Sequence, residues 1–290
     1  MAEVLILSNP KAGRGKSSQT ASQLAAVFRA AGYLVRREID AQNNLPDAAI
    51  VIGGDGTLRY AAAQCLAAFG DFPPFVVIPG GTANLMAQHL KLNWDERQLP
   101  QQVLAAVQAR KIQLLDAAKA NDELFLLIAG IGFDAAIVAA LDRVRTGPIT
   151  MWSYVMPALQ TIWESSFLPL SVEVDGVPVF GPAPGMVFVG NVKEYGTGFP
   201  VLPLARSDDG VLDVCILPCS SHEDLLRLAL HVAAGEHPTL EGAKYMKARR
   251  VSITAKRKVP VQLDGDSAGM TPVDIKLLPI RVPFIVRGTP

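Results

Sequence analysis

Apolar and polar positions follow two different periods along this chain, and the change of period divides it in two. From the start to about residue 112, apolar runs such as Val4 to Leu7, Ala48 to Ile52 and Phe75 to Ile78 alternate with segments of helical spacing. Leu24, Val27, Phe28 and Ala31 share one helical face, Leu58 to Phe69 predicts a second helix and Gln101 to Ala109 a third. Gly32 is placed to cap the first of these, and Tyr33 to Ile39 predicts the strand after it. Strand–helix alternation of this kind builds a parallel sheet flanked by helices. From Gln113 onward the period falls towards two. Ser171 to Val174, Val177 to Phe180, Met186 to Val189, Val211 to Ile216 and Val259 to Leu263 read as short strands, with Asp175-Gly176 as a hairpin turn. A helix from about Glu223 to Ala234 interrupts them. The predicted domains are 1–112, α/β, and 113–290, mainly β. No internal repeat or low-complexity tract appears.

The strand ends of the first domain carry the chemistry. Val51-Ile52-Gly53-Gly54-Asp55-Gly56-Thr57 turns an apolar strand into a glycine-dense loop with a predicted helix behind it. Glycines bring a ligand against bare backbone N–H groups, and a helix N-terminus favours phosphate. Asp55 suits a magnesium ion, a water or a substrate hydroxyl better than a phosphate. Asn9-Pro10-Lys11-Ala12-Gly13-Arg14-Gly15-Lys16-Ser17 and Pro79-Gly80-Gly81-Thr82-Ala83-Asn84 follow two further strands. In an open parallel sheet such loops converge on one crevice. The first is no Walker A loop, because Pro10 stands where GxxxxGK[ST] needs glycine, and the chain has no GxGxxG.

Asn-Pro-x-Ala-Gly, Gly-Gly-Asp-Gly-Thr, Pro-Gly-Gly-Thr-Ala-Asn, Gly-Phe-Asp-Ala at 132 to 135, Asp-Asp-Gly-Val-Leu-Asp at 208 to 213 and Asp-Gly-Asp at 264 to 266 occur in that order. Together they resemble the diacylglycerol kinase catalytic-domain family, in particular its soluble bacterial lipid kinases. The resemblance implies an antiparallel β-sandwich for the second domain, the last residues returning to the first domain and an active site in the cleft between the two. It implies ATP and Mg2+ as cofactors and a lipid with a free hydroxyl as substrate. ATP would meet Asn9, Pro10, Lys11, Ala12 and Gly13, then Gly53, Gly54, Asp55, Gly56 and Thr57, then Gly81 and Thr82. Family members usually have Asp-Gly-Glu where this chain has Asp264-Gly265-Asp266, which maps the proton acceptor onto Asp266. Asp55 is a second candidate for that base, and Asp264 belongs to the same catalytic group. A magnesium ion outside the transfer site would take the carboxylate of Asp209 and the carbonyls of Arg206 and Val211. Asp134 and Asn84 are substrate candidates. Two departures stand out: Arg59-Tyr60 replaces a common Asn-Glu, and Ile39-Asp40-Ala41 lacks a usual threonine.

Composition narrows the setting. The chain has 290 residues, 50% of them hydrophobic, and 27 basic groups balance 27 acidic ones. No global charge draws it to nucleic acid or membrane. It has no signal-peptide pattern, and no apolar run reaches the roughly 18 residues of a spanning helix. A cytoplasmic location is expected, with peripheral attachment to the inner face of the membrane; a homodimer is left open. Met151 to Pro157 with Trp163 make an aromatic, Met-rich segment suited to an acyl-chain cleft or to plain core. Lys244, Lys247, Arg249, Arg250, Lys256, Arg257 and Lys258 form the densest basic stretch, suited to anionic headgroups or to a solvated strand face. Cys65, Cys215 and Cys219 suit reduced, buried thiols, and the four histidines fit no metal motif. The alternatives are a NAD-kinase-like enzyme and a catalytically weak nucleotide- or lipid-binding module.

Overall fold

The computed structural model describes residues 2–9, 16–132, 167–195 and 199–287. The chain divides into two compact units, Met1–Leu115 with Pro279–Pro290, and Asp116–Leu278.

In the first unit the elements are β1 (Glu3–Ser8), α1 (Lys16–Ala30), β2 (Leu34–Arg36), β3 (Ala48–Gly53), α2 (Asp55–Phe69), β4 (Phe75–Pro79), α3 (Leu85–His89), α4 (Leu99–Ala109) and β5 (Ile112–Leu115). A late strand, Val282–Ile285, pairs parallel to β4 and antiparallel to β5. It completes the strand order β2-β1-β3-β4, late strand, β5. Every residue of β3 is buried, which is why Ala48 to Ile52 is continuously apolar and not alternating. Val4, Ile6, Ile50, Ile52 and Val76 pack with Leu24 and Phe28 of α1 and Val103 of α4. The strand predicted from Tyr33 to Ile39 is cut to Leu34–Arg36. It is an edge strand matched only to Glu3, Val4 and Leu5, and the polar Arg36-Arg37-Glu38 has no apolar face to bury.

The second unit holds β6 (Ala118–Ala120), β7 (Glu123–Phe125), β8 (Ile128–Ile131), β9 (Pro169–Val174), β10 (Val177–Gly190), β11 (Leu212–Pro218), α5 (His222–Ala234), β12 (Lys244–Ala248), β13 (Arg250–Thr254), β14 (Pro260–Leu263), β15 (Asp266–Met270) and β16 (Val273–Leu277). Among the described residues these strands pair antiparallel. The two strands expected at Val177 to Phe180 and Met186 to Val189 are one strand, β10. It pairs with β9 over its first half and with β8 and β11 over its second. Register shifts around Phe180 and a left-handed Gly181 (φ 88°) bend it between them, so two short apolar patterns belong to one bent strand. Leu170, Val172, Val251, Ile253 and Ile275 meet Ile131, Val187, Val189, Val214 and Val261 in one core. The sheets close on each other as a β-sandwich. Cys65, Cys215 and Cys219 are free and buried, and burial pushes the Cys65 and Cys215 thiols up to about 12.

Candidate nucleotide loops and catalytic acids

The three glycine-bearing loops leave neighbouring strands. β1, β3 and β4 run parallel and adjacent, so their carboxyl ends share one edge of the sheet. Two of the loops touch through bare backbone. The Gly80 amide donates to the Gly53 carbonyl at 2.9 Å, and a Cβ on Gly81 would lie 2.6 Å from the Cα of Gly54. A Cβ on Gly53 would meet Thr57 Oγ1 at 2.5 Å. Glycine is therefore required by close approach at Gly53 and Gly81, even without a ligand. Asn9 joins the first loop to the second: its amide donates to the Ile52 carbonyl at 3.2 Å and its Nδ2 to Thr57 Oγ1 at 3.4 Å. Ser17 Oγ, in the first turn of α1, donates to the Asn9 carbonyl at 2.7 Å. Pro10, Lys11, Ala12, Gly13 and Arg14 lie outside the described residues.

Gly56 and Thr57 form the first turn of α2, whose N-cap Gly54 is extended and offers no side chain to its amides. Asp55, also in that turn, faces protein. Its Oδ2 accepts from the Leu85 amide at 2.9 Å and its Oδ1 from the Met86 amide at 3.0 Å. Asn84 adopts a left-handed conformation (φ 52°) and grips Gly81 at both ends, Oδ1 accepting from its amide and Nδ2 donating to its carbonyl, each at 2.8 Å. Thr82 is exposed on the turn between. Asp55, read from sequence as a metal ligand or base, and Asn84, read as a substrate contact, are both engaged in shaping the third loop. Arg59 is half-buried on α2, whereas Tyr60 is 67% exposed.

Asp264-Gly265 is a two-residue hairpin joining β14 to β15, with φ of 52° and 87°, and Leu263 opposite Asp266. Positive φ at both central residues is what a type I′ turn demands. The Asp264 carboxylate accepts from the amides of Leu126 at 2.9 Å, Leu127 at 2.9 Å and Ile128 at 3.1 Å. Asp175 in the other Asp-Gly hairpin behaves alike: φ is 48°, and Oδ1 accepts from the amides of Arg249 at 3.0 Å and Arg250 at 2.8 Å. Asp264 thus braces the turn against the backbone of Leu126 to Ile128. Asp266 stands half-buried at the start of β15, one residue past the turn.

In the segment Arg206 to Asp213, Asp209 is paired with the ammonium of Lys247 on β12. The Gly210 amide donates to Asp116 Oδ2 at 2.7 Å, the Asp116 amide to the Ser207 carbonyl at 2.7 Å, and Asn191 Nδ2 to the Asp116 carbonyl at 2.9 Å. Arg206 faces Asp208 at 3.6 Å, and Val211 leads into β11. Asp213 is fully buried, and burial raises its carboxyl above the usual range against the lowering effect of Tyr245 and Lys247. Burial and the neighbouring Asp213 in turn raise the Tyr245 hydroxyl. Asp116, Asn191 and Lys247 are the partners that sequence reading did not assign, since only the fold brings them to this loop. Among the described residues, no three His, Cys, Asp or Glu side chains form a group able to hold a metal ion. Asp134 and the segment Met151 to Pro157 with Trp163 lie outside the described residues.

Comparison with known proteins agrees with this fold. Residues 3–117 match the diacylglycerol kinase catalytic domain, and residues 128–286 match the YegS C-terminal NAD kinase beta sandwich-like domain. The chain is 27% identical to a diacylglycerol kinase of Mycobacterium tuberculosis, covering 96% of this chain and 93% of that one. It is 26% identical to a diacylglycerol kinase of Bacillus subtilis, covering 94% and 92%. A crystal structure of a diacylglycerol kinase from Bacillus anthracis, so described provisionally, superposes with a TM-score of 0.72 at 24% identity over 98% of this chain and 95% of that one. An NAD kinase from Archaeoglobus fulgidus in complex with ATP superposes with a TM-score of 0.59 at 14% identity over 98% and 93%. The chain belongs to the diacylglycerol kinase catalytic-domain family, with the YegS-type NAD kinase-like β-sandwich as its second domain.

Proposed function

We propose that the protein is an ATP-dependent lipid kinase that transfers the γ-phosphoryl group to a free hydroxyl of diacylglycerol or a related lipid. The observation that carries the reading is the backbone contact of Gly54 with Gly81 at the carboxyl ends of β3 and β4. It sets the open N-terminus of α2 beside the bare glycine backbone of the third loop, a cradle that suits oligophosphate. MgATP enters as the substrate, its magnesium travelling with the phosphates.

Gly54, Gly56, Thr57 and Thr82 hold the phosphates through amides and hydroxyls, while Asn9, Gly53 and Gly81, whose contacts join the loops to one another, give the cradle its shape. Asp55 and Asn84 keep the third loop in place. The acceptor oxygen forms a bond to the γ-phosphorus, the bond from that phosphorus to the bridging oxygen of ADP breaks, and the hydroxyl proton passes to Asp266. Asp266 is preferred to Asp55 as base because the family resemblance maps the proton acceptor onto it, while Asp55 accepts from the Leu85 and Met86 amides of the third loop. Such transfer asks the protein mainly for positioning and charge neutralisation.

The acceptor lies in a bilayer, and no helix among the described residues is long and apolar enough to cross one. Attachment is proposed to be peripheral, through exposed basic side chains. The test is to incubate the protein with MgATP labelled at the γ-phosphate and a total lipid extract, then identify the labelled product. A phosphorylated glycerolipid is expected. Labelling of NAD in place of lipid would make it a NAD-kinase-like enzyme, and nucleotide binding with no labelled product would make it a binding module.

A further inference from the structure

A charged cluster inside the second unit has chemistry that phosphoryl transfer does not use. β12 pairs antiparallel with β11, placing Lys247 directly opposite Asp213. The Lys247 ammonium reaches past that register partner to Asp209 Oδ2. Asp213 is fully buried beside the Tyr245 hydroxyl, and Asp209 Oδ1 is buried without a hydrogen-bond partner. Two neighbouring carboxylates, one buried and one half-buried, favour a cation beside them. In this chain the cation is covalently supplied.

The family resemblance asks for magnesium on the Asp209 carboxylate and the Arg206 and Val211 carbonyls. The residues present do not fit it well. Magnesium needs oxygens at about 2.0 to 2.1 Å in octahedral array, and on Asp209 an ammonium already sits against Oδ2. An ion placed on Oδ1 would face that ammonium as a like charge at close range. We propose that the Lys247 ammonium is the resident cation of the Arg206 to Asp213 loop, standing in for the metal so that this loop folds without magnesium. The role holds whether or not the protein phosphorylates a lipid, because its readout is folding.

The experiment is thermal melting of the full chain, free of nucleotide, in EDTA and in about 10 mM magnesium chloride. The wild type is expected to melt at the same temperature in both. Lys247→Met is expected to melt lower in EDTA by about 3 °C or more for a chain of this size, and magnesium should restore part of the loss by entering the vacated position. Lys247→Arg, which keeps the charge, should track the wild type. Should Lys247→Met fail to fold, the pair Asp209→Asn with Lys247→Met removes both charges and is expected to recover a folded protein. A wild-type melting point raised by magnesium, with the rise abolished by Asp209→Asn, would show an ion in the loop beside the lysine and overturn the proposal. So would a Lys247→Met protein that melts like the wild type in EDTA, or one that magnesium does not help.

Discussion

Gly81 lies against Gly54 so closely that a Cβ on Gly81 would stand 2.6 Å from the Gly54 Cα, inside any van der Waals contact. The neighbour is backbone, with no side-chain end to swing away. Gly81→Ala therefore has to push the second and third loops apart, at a cost of about 1 to 3 kcal/mol typical of overpacking. The expected result is a lower melting temperature together with MgATP affinity weakened by tenfold or more, read by calorimetry. Gly265→Ala is the contrast: nothing lies within 4 Å of its Cβ, so its cost is the strain of φ 87° alone, and MgATP affinity should hold. Equal MgATP affinity in Gly81→Ala and wild type would remove the loop contact from the nucleotide site.

The Asp264-Gly265-Asp266 turn carries two acids two positions apart, and different outcomes are expected of them. Asp266→Asn should keep the melting temperature and MgATP affinity while lowering turnover by roughly 10²-fold or more, the scale of a positioned base. Asp264→Ala strands the amides of Leu126, Leu127 and Ile128, and charge-assisted bonds of this kind contribute about 1.5 to 3 kcal/mol each, not additively. It should lower stability first and activity only as a consequence. A stable, inactive Asp264→Ala protein would return that residue to the chemistry.

Asp55 is expected to act in the same way as Asp264 within the first unit. Asp55→Ala leaves the Leu85 and Met86 amides without their acceptor, so the third loop should loosen. Melting temperature and MgATP affinity should fall together, whereas a lost base would lower kcat and spare both. Hydrogen exchange at Leu85 and Met86 checks this directly, and unchanged protection there in the variant would refute the bracing role.

How much of this the sequence disclosed depended on range. The glycine loops, the helix Leu58 to Phe69 and the hairpins at Asp175 and Asp264 are local events, set by residues within a few positions of each other, and each was legible. The passage from α/β to mainly β followed from the change of period at about residue 112, and the β-sandwich from the family resemblance. What stayed hidden is long-range. Nothing local says that Asp55 reaches Leu85, that Lys247 crosses to Asp209, or that Asp116 receives the Gly210 amide. The merging of two predicted strands into β10 failed for a related reason, since a strand that changes partners at Gly181 breaks its own alternation. Asp264 carries two readings at once because one residue type serves both a turn and a catalytic motif.

His237 is expected to give the protein a pH dependence unrelated to catalysis. It is fully buried, and its Nε2 lies 2.9 Å from the Val201 carbonyl, which can only accept, so Nε2 carries a proton. Burial lowers its pKa, and hydrogen bonds to the Val201 and His231 backbone only partly oppose this. The folded value lies below the unfolded value of about 6.5, so the unfolded chain binds more protons in the window between them. The stability is therefore full above about pH 6.5 and is lost as pH falls below it, by at most about 1.4 kcal/mol per pH unit. Urea midpoints of wild type and His237→Gln between about pH 7.5 and 5 should diverge on the acid side, the wild type losing more. Parallel curves would mean that His237 does not titrate on unfolding.

The basic stretch is smaller in effect than in sequence. Lys247 is bound to Asp209, Arg250 to Asp274 at 2.8 Å, and Lys258 Nζ donates to the Thr271 carbonyl at 2.9 Å. Lys256 and Arg257 are exposed between β13 and β14, which makes them the better candidates for a membrane contact. Each contributes on the order of 1 kcal/mol near an anionic surface, fading over a Debye length of about 8 Å at physiological salt. Reversing Lys256 and Arg257 to Glu, with Lys258 left alone, should weaken binding to vesicles containing anionic lipid and make the remaining binding less sensitive to salt. Activity on those vesicles should fall, while activity on a short-chain substrate dispersed in detergent is spared. Equal losses in both assays, or vesicle binding that neither salt nor the reversal changes, would take the membrane contact away from this turn.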